Sequence, residues 1–296
     1  MSTADFIAVD WGTTNRRAYL IDRDGAVLAT ERDDRGVLAI AAGGFAQEAA
    51  AIRNRLGDLP MLCAGMVGSV RGWIDAAYLP CPVDETALAA ALRWVEPGRT
   101  AIVPGVSVAE EGRSDVMRGE EVQLLGALAA GLAPSDALLC QPGTHCKWAR
   151  MEHGRIARFR TTMTGEIFAL LKKHSLLADF LGGPVSDGPA FRTGLAAARN
   201  GALLGDLFGQ RAGVLLGRID RADVAAHVSG LLIGSDVREQ AIAPGETVYL
   251  LADPALGPLY AAAIEVAGGA AVMIDSHAAF VAGVTRIWRL YHDRPS

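Results

Sequence analysis

One pattern, written twice, constrains this chain more than anything else in it. A short apolar strand at residues 6–9 runs into the polar turn Asp10-Trp11-Gly12-Thr13-Thr14-Asn15. A strand at 17–21 returns, Asp22-Arg23-Asp24-Gly25 turns again, and a third strand follows at 26–31. The same order recurs as a strand at 137–140, the turn Gln141-Pro142-Gly143-Thr144-His145, a strand at 146–151, the turn Glu152-His153-Gly154 and a strand at 155–161. Gly12-Thr13 and Gly143-Thr144 hold equivalent places, as do Gly25 and Gly154. Recurrence of a supersecondary unit implies an internal duplication, and glycine turns between apolar runs imply hairpins.

Around these units the periodicity predicts strands at 60–66, 100–103, 248–252 and 270–274. It predicts helices at 44–56, 83–94, 116–132, 165–176, 194–198, 222–232, 259–267 and 277–291, with a loop over 104–114. Strands interleaved with helices define an α/β protein whose sheets carry helices on their faces. The break between the halves falls near Gly131-Pro134. This gives an N-terminal domain over 1–131 and a C-terminal domain over 132–296, with the terminal helix free to pack back on the first.

Composition narrows the function. Of 296 residues 51% are apolar and 21% charged, and the net charge is -5. No Lys/Arg cluster marks a nucleic-acid face, and no apolar run reaches the ~18 residues of a membrane span. Met1-Ser2-Thr3-Ala4-Asp5 does not read as the start of a signal peptide, so a cytoplasmic location is expected. Cys63, Cys81, Cys140 and Cys146 form no CxxC pair and read as reduced thiols.

The turns carry the chemistry. A Gly-Thr-Thr turn between strands gathers backbone N–H groups and hydroxyls at one point, which suits phosphate oxygens. Gly12 permits close backbone approach, and Thr13 and Thr14 add hydroxyls. Asp10, at the strand end, is placed to hold Mg²⁺ beside those phosphates through water. Gly143 and Thr144 offer the same donors with Gln141 in place of the acid, and His145 stands next to them. Two phosphate turns and one metal carboxylate match phosphoryl transfer, which needs positioning and charge neutralisation above all.

The segment IAVDWGTTNRR (7–17) resembles the first phosphate motif of the actin/hexokinase/sugar-kinase superfamily, and CQPGTHCKW (140–148) resembles its second. RGEEVQLLGAL from Arg118 and HAAFVAGVTRIW from His277 are similar to its two connecting helices. VYLLADPALGPLYAAAIEVAGG from Val248 is similar to its adenosine motif. GMVGSVRGWIDAAYLPCP (65–82), TTMTGEIFALL (161–171) and SGLLIGSDVR (229–238) resemble the 2-dehydro-3-deoxygalactonokinase family over nearly the whole chain. The resemblance implies two ribonuclease-H-like (actin-like ATPase) domains with an interdomain cleft. It also implies ATP and Mg²⁺ as cofactors, and transfer of the γ-phosphate to the 6-hydroxyl of 2-dehydro-3-deoxy-D-galactonate in galactonate breakdown.

In related sugar kinases an Asp after Gly at the start of the connecting helix is the base. Glu120 stands there in this chain, with Glu121 and Asp115 as alternatives, and a plain helix-start carboxylate is the competing reading. Gly230 and Gly234 would admit the nucleotide; Asp253, Leu256, Gly257 and Tyr260 resemble the adenosine site, with Asp253-Pro254 replacing the usual glycine pair. For the anionic substrate, Arg16 and Arg71 are the cationic candidates, with Lys147 and Arg158 behind them. Trp73 and Tyr78 could pack on its carbon chain, and Thr164 and Glu166 occupy a segment that faces the sugar acid in the family. His277 has no assigned role. Two rivals remain at this point: a kinase of another sugar or sugar acid, and an actin-like ATPase or regulator without an acceptor. The expected partner is a small sugar acid rather than nucleic acid or membrane, and a homodimer stays open.

Overall fold

The computed structural model describes residues 3–293. In chain order the first half forms β1 (Ala4–Trp11), β2 (Arg16–Asp22), β3 (Val27–Asp33), α1 (Phe45–Leu56), β4 (Met61–Ala64), β5 (Tyr78–Pro80), α2 (Glu85–Ala90), β6 (Arg93–Glu96), β7 (Thr100–Ile102), β8 (Gly105–Glu110), β9 (Arg113–Met117) and α3 (Glu120–Ala129). The second half forms β10 (Ala137–Gln141), β11 (Cys146–Glu152), β12 (Arg155–Thr162), α4 (Thr164–His174), α5 (Pro189–Ala198), α6 (Leu203–Leu215), α7 (Val224–Arg238), β13 (Thr247–Leu251), α8 (Gly257–Val266), β14 (Ala270–Ile274) and α9 (Ser276–His292).

The chain divides into two compact units. One comprises the segment up to Asp136, Ala149–Phe159 and the segment from Asp275; the other comprises Ala137–Trp148 and Arg160–Ile274. The terminal helix α9 therefore belongs to the first unit, as does the tip of the β11–β12 hairpin, where Ile156 bridges Val83.

The duplication is visible in the sheets. The first has strand order β3-β2-β1-β4-β7-β6 and the second β12-β11-β10-β13-β14. Each centres on its opening strand, and in each a parallel neighbour follows: β1 with β4, β10 with β13. Central parallel strands are covered on both faces and read as continuous apolar runs, which is why Ile7, Ala8, Val9, Met61, Leu62 and Cys63 are all fully buried. β2 and β3 form the antiparallel meander, and β3 at the sheet edge is the more exposed of the two.

Each unit also has one pair of helices crossing at paired glycines. In the first, a Cβ on Gly126 of α3 would lie 1.9 Å from the Ala279 carbonyl of α9, and one on Gly283 would lie 2.1 Å from the Val122 carbonyl. In the second, a Cβ on Gly230 of α7 would lie 2.1 Å from the Phe191 carbonyl of α5, and one on Gly194 would lie 2.1 Å from the His227 carbonyl. The helices pack backbone to backbone, and no side chain fits.

Several elements differ from the sequence expectation. The stretch 104–114 is largely the hairpin β8–β9, not a loop, because Val106 and Val108 are buried there. The helix expected over 116–132 begins only at Glu120, since Val116 and Met117 finish a strand. The helix expected over 83–94 ends at Ala90, and Arg93–Glu96 pairs with β7. Alternation in short mixed strands is easily mistaken for helical spacing.

The glycine crossings give a stability test with two signs. Gly283→Ala and Gly230→Ala should each destabilise by about 1–3 kcal/mol through overpacking. Gly205→Ala, on exposed α6 with nothing near its Cβ site, should gain up to about 1 kcal/mol from helix propensity. Equilibrium urea unfolding measures all three.

Candidate functional site

In the first unit the Gly-Thr-Thr turn is held from behind. Val37 and Leu38 donate their N–H groups to the carbonyls of Gly12 and Thr13 at 3.0 and 3.1 Å, and Gly36 donates to Thr14 at 3.3 Å. With its carbonyls taken up on that side, the turn leaves Thr13, Thr14 and Asn15 exposed. It borders a cavity of about 250 Å³ shared with Asp10, Arg16, Arg17, Arg32 and His277.

Asp10, the penultimate residue of β1, lines this cavity. Burial pushes its carboxyl up to about 6; the Arg17 guanidinium opposes the rise and the Glu120 charge adds to it. Glu120 is therefore an electrostatic neighbour of Asp10. It opens α3, and its Oε2 accepts the Arg118 N–H at 3.1 Å. What brings them together is a backbone crossing. Gly119, at φ 106°, has its Cβ position 2.9 Å from the Gly65 Cα, and Gly65, at φ 98°, has its own 2.8 Å from the Trp11 carbonyl. Only glycine combines that conformation with that proximity.

Glu121 and Asp115 are placed differently from Glu120. Glu121 is fully buried. Its Oε2 accepts the Gly119 N–H at 2.6 Å while Oε1 is buried without a partner. Burial, then the Glu120 charge, push it up to about 8, so it is mainly protonated at neutral pH. Asp115 does not lie one helical turn before Glu120; it sits on β9 and accepts the Val116 N–H.

Arg16, a substrate candidate from sequence, is turned inward. It is 3% exposed, bonds Asp33 at 2.6 Å and Glu48 at 3.0 Å, and lies 4.9 Å over the Trp11 ring. Arg16 borders the cavity with its charge already paired; Arg17, next on β2, borders it too, and its guanidinium meets the His277 ring. Burial and the Arg17 charge hold His277 below its usual range. Arg17, Arg32 and His277 are cavity residues the sequence reading passed over. The place of Arg17 beside Arg16 in the motif that follows the first turn was a signal for it; nothing local marked the other two.

Arg71 is exposed on the loop after the first phosphate unit. Trp73 stacks on Phe45 at 6.3 Å and serves the core. Tyr78 lies under the Arg118 guanidinium at 4.2 Å, and Arg118 also donates to the Ala76 carbonyl at 2.6 Å. Arg118, unremarked as a cation in the sequence, thus ties the 66–78 loop to the start of α3. Lys147 donates to Thr161, and Arg158 pairs with Glu152 at the surface.

In the second unit α4 clasps the other turn. Glu166 donates its N–H to the Thr144 carbonyl at 2.9 Å, and a Cβ on Gly165 would strike the Gly143 carbonyl at 2.4 Å. The His145 and Glu166 side chains meet at 2.6 Å. Thr164 is buried and donates to Asp236 at 2.7 Å, so its hydroxyl is committed within the unit.

Beside this turn is a mainly apolar slot of about 200 Å³. Gly143, Thr164 and Gly165 form one wall, Phe168 and Val185 another, Ser229, Leu232 and Ile233 of α7 a third, and the segment from Ala255 to Tyr260 closes it. Leu256 and Tyr260, expected at the adenosine site, line the slot. Asp253 stands back, accepting the N–H groups of Ala255 and Leu256 at 2.8 and 2.9 Å. Gly257 leaves space that Met273 fills. Gly230 and Gly234 are corrected: the close approach they permit is to α5, through Phe191 and Ala198, while Ser229, Leu232 and Ile233 face the slot.

The two duplicated sheets, each with a Gly-Thr turn after its first strand, define the class of actin-like ATPases and sugar kinases. A carbohydrate kinase from Novosphingobium aromaticivorans shares the fold, with a TM-score of 0.52 at 11% identity, covering 100% of this chain and 93% of its own. The chain belongs to the 2-keto-3-deoxy-galactonokinase family, whose sequence model matches residues 10–287. It is 38% identical over 290 residues to the 2-dehydro-3-deoxygalactonokinase of Escherichia coli (strain K12), covering 96% of this chain and 98% of that one. A crystal structure from Sinorhizobium meliloti, provisionally named as the same kinase, superposes with a TM-score of 0.89 at 34% identity, covering 96% and 98% of the two chains.

Glu121 generates a pH prediction. Folded, its carboxyl keeps its proton up to about 8, against 4.5 for the ordinary group. Between those values the native state binds one more proton than the unfolded chain. This contribution to stability is full below 4.5 and lost as pH rises through about 8, with a slope of up to ~1.4 kcal/mol per pH unit. Glu121→Gln should flatten that loss. Urea midpoints at mildly acidic and mildly alkaline pH should converge in the variant relative to wild type.

Proposed function

We propose that this chain is an ATP-dependent kinase of 2-dehydro-3-deoxy-D-galactonate that phosphorylates the 6-hydroxyl. The observation that carries this reading is similarity along nearly the full length of both chains to the Escherichia coli enzyme of that name. The cavity beside the first turn and the slot beside the second are consistent with it.

The apolar slot suits an adenine ring, with Leu256 and Tyr260 on its wall and Gly143 at its mouth. The turn at Gly143, Thr144 and His145 offers donors to the phosphates. In the first unit Gly12, Thr13 and Thr14 do the same, and Arg17 brings positive charge to that cavity. Such fixed donors cost no reorganisation as charge develops on the transferring group.

A magnesium ion fits the first turn. The Asp10 carboxylate faces the cavity, and no hydrogen bond to it stands among the causes of its raised pKa. Among the described residues no group of three or more His, Cys, Asp or Glu forms a metal cage, which suits a cation held mostly by water and phosphate oxygens. Asp10 would hold it through water; bound there, the ion neutralises phosphate charge.

Glu120 takes the proton of the 6-hydroxyl. The freed oxygen forms its bond to the γ-phosphorus as the bond from that phosphorus to the ADP oxygen breaks, and ADP leaves. Glu120 is favoured over Glu121 because the latter is buried and mainly protonated. Arg118, stacked over the Tyr78 ring two residues before the base, and exposed Arg71 on the loop after β4 are the candidate cations for the substrate carboxylate. A soluble cytoplasmic kinase is the corresponding cellular reading. Among the described residues no helix is long and apolar enough to cross a membrane.

A coupled ATP assay with 2-dehydro-3-deoxygalactonate, its gluconate-derived epimer and neutral sugars tests the proposal. Turnover should require the galactonate-derived acid; ATP hydrolysis indifferent to every acceptor would overturn it. Asp10→Ala should lower Mg-dependent kcat by about a thousandfold or more. Glu120→Gln should bind ATP as wild type does and lose about 10²–10⁴ in kcat. If Glu121→Gln shows that loss instead, the base is misassigned.

A further inference from the structure

Asp236 of α7 is a carboxylate at 4% exposure in a part of the second unit otherwise built from apolar side chains. Its Oδ1 accepts the Trp148 indole N–H at 2.8 Å. Its Oδ2 accepts the Thr164 hydroxyl at 2.7 Å and the Tyr260 hydroxyl at 2.8 Å. Gln240, one turn on, donates to the Asp236 carbonyl. Among the described residues no cation pairs with Asp236; its side-chain donors are all neutral, the Gln240 amide also reaching Oδ1 at 3.5 Å.

Taking a carboxylate out of water costs several kcal/mol, and a Leu of similar size would fill the place without that cost. The arrangement is informative because of where the donors come from. Trp148 lies on β11, the strand that leaves the turn at Gly143 and Thr144. Thr164 is the first residue of α4, whose next two residues clasp Thr144 and Gly143. Tyr260 stands in the first turn of α8 and lines the slot. One carboxylate therefore bonds the strand behind the turn, the helix that clasps it, and the helix that walls the slot.

We propose that Asp236 is a positioning residue for the nucleotide, fixing the slot relative to the adjoining phosphate turn. A ligand that fills one and reaches the other needs the two held to within about 0.5 Å. Charge-assisted hydrogen bonds to a shared acceptor supply that rigidity where apolar contacts alone would let α8 and α4 slide. The inference rests on the reading that ATP occupies the slot.

The experiment is titration of the purified full chain with a fluorescent ATP analogue, alongside steady-state kinetics in ATP and in the sugar acid. Asp236→Asn replaces one acceptor oxygen by a donor. It should raise the nucleotide Kd about tenfold or more while leaving KM for the sugar acid within about twofold. A merely structural role would lower the melting temperature and the active fraction, and leave the Kd of the folded protein unchanged. Tyr260→Phe should raise Kd about threefold to tenfold in wild type and add nothing in the Asp236→Asn background. Should Asp236→Asn not fold, Tyr260→Phe and Thr164→Val replace it: sharing Oδ2, they should be less than additive in the double variant. Wild-type nucleotide affinity in Asp236→Asn, or full additivity of the hydroxyl deletions, overturns the inference. Leu232→Trp, which fills the slot, separates the two levels. If it binds ATP as wild type does, the slot reading falls and the inference with it. If it loses ATP while Asp236→Asn does not, the inference alone falls.

Discussion

The chemistry of the first unit depends on a place where three stretches of backbone touch. Trp11, Gly65 and Gly119 come from the end of β1, the end of β4 and the start of α3, and they pass so closely that no Cβ fits at either glycine. That contact sets the distance between Asp10, one residue before Trp11, and Glu120, one residue after Gly119. Neither carboxylate is unusual in isolation. Their mutual influence follows from a separation that side-chain packing could not have achieved, because a methyl group at either crossing would push the strand and the helix apart.

Close backbone approach recurs as the organising device of both units. The α3–α9 and α5–α7 pairs cross through glycine, so their backbones approach where no Cβ would fit. The consequence for the second unit is specific. With Gly230 and Gly234 spent on α5, the α7 residues left to face the slot are Ser229, Leu232 and Ile233, and Asp236, one turn further on, turns toward Trp148, Thr164 and Tyr260. The same helix thus serves core, slot and polar network on different faces, as its 3.6-residue period dictates.

Asp10 and Asp236 illustrate how environment divides the behaviour of identical side chains. Asp236 accepts hydrogen bonds from the neutral donors Trp148, Thr164, Tyr260 and Gln240. Asp10 lines the first cavity, where burial pushes its carboxyl up to about 6 against the opposing Arg17 guanidinium. Glu120 and Glu121, adjacent in sequence, are likewise divided: one faces Asp10 and the other is enclosed with an unpartnered oxygen. A helix start presents successive residues about 100° apart, so neighbours meet different surroundings.

By itself the sequence determined the duplicated strand–turn–strand units, the α/β class, the family and the two Gly-Thr turns, because these are written in local periodicity and in contiguous motifs. It also determined Asp10, Leu256 and Tyr260 as residues of the cavities, since each sits at a fixed offset from a turn or motif. The tertiary structure alone decided that Arg16 is spent on Asp33 and Glu48 while Arg17 faces the cavity, and that His277, far along the chain, stands beside the first turn. It decided too that Thr164 answers to Asp236, and that Gly230 and Gly234 belong to a helix crossing. The physical reason is the same in each case. Which way a side chain points, and what it meets there, depends on partners remote in sequence, and local pattern carries no record of them.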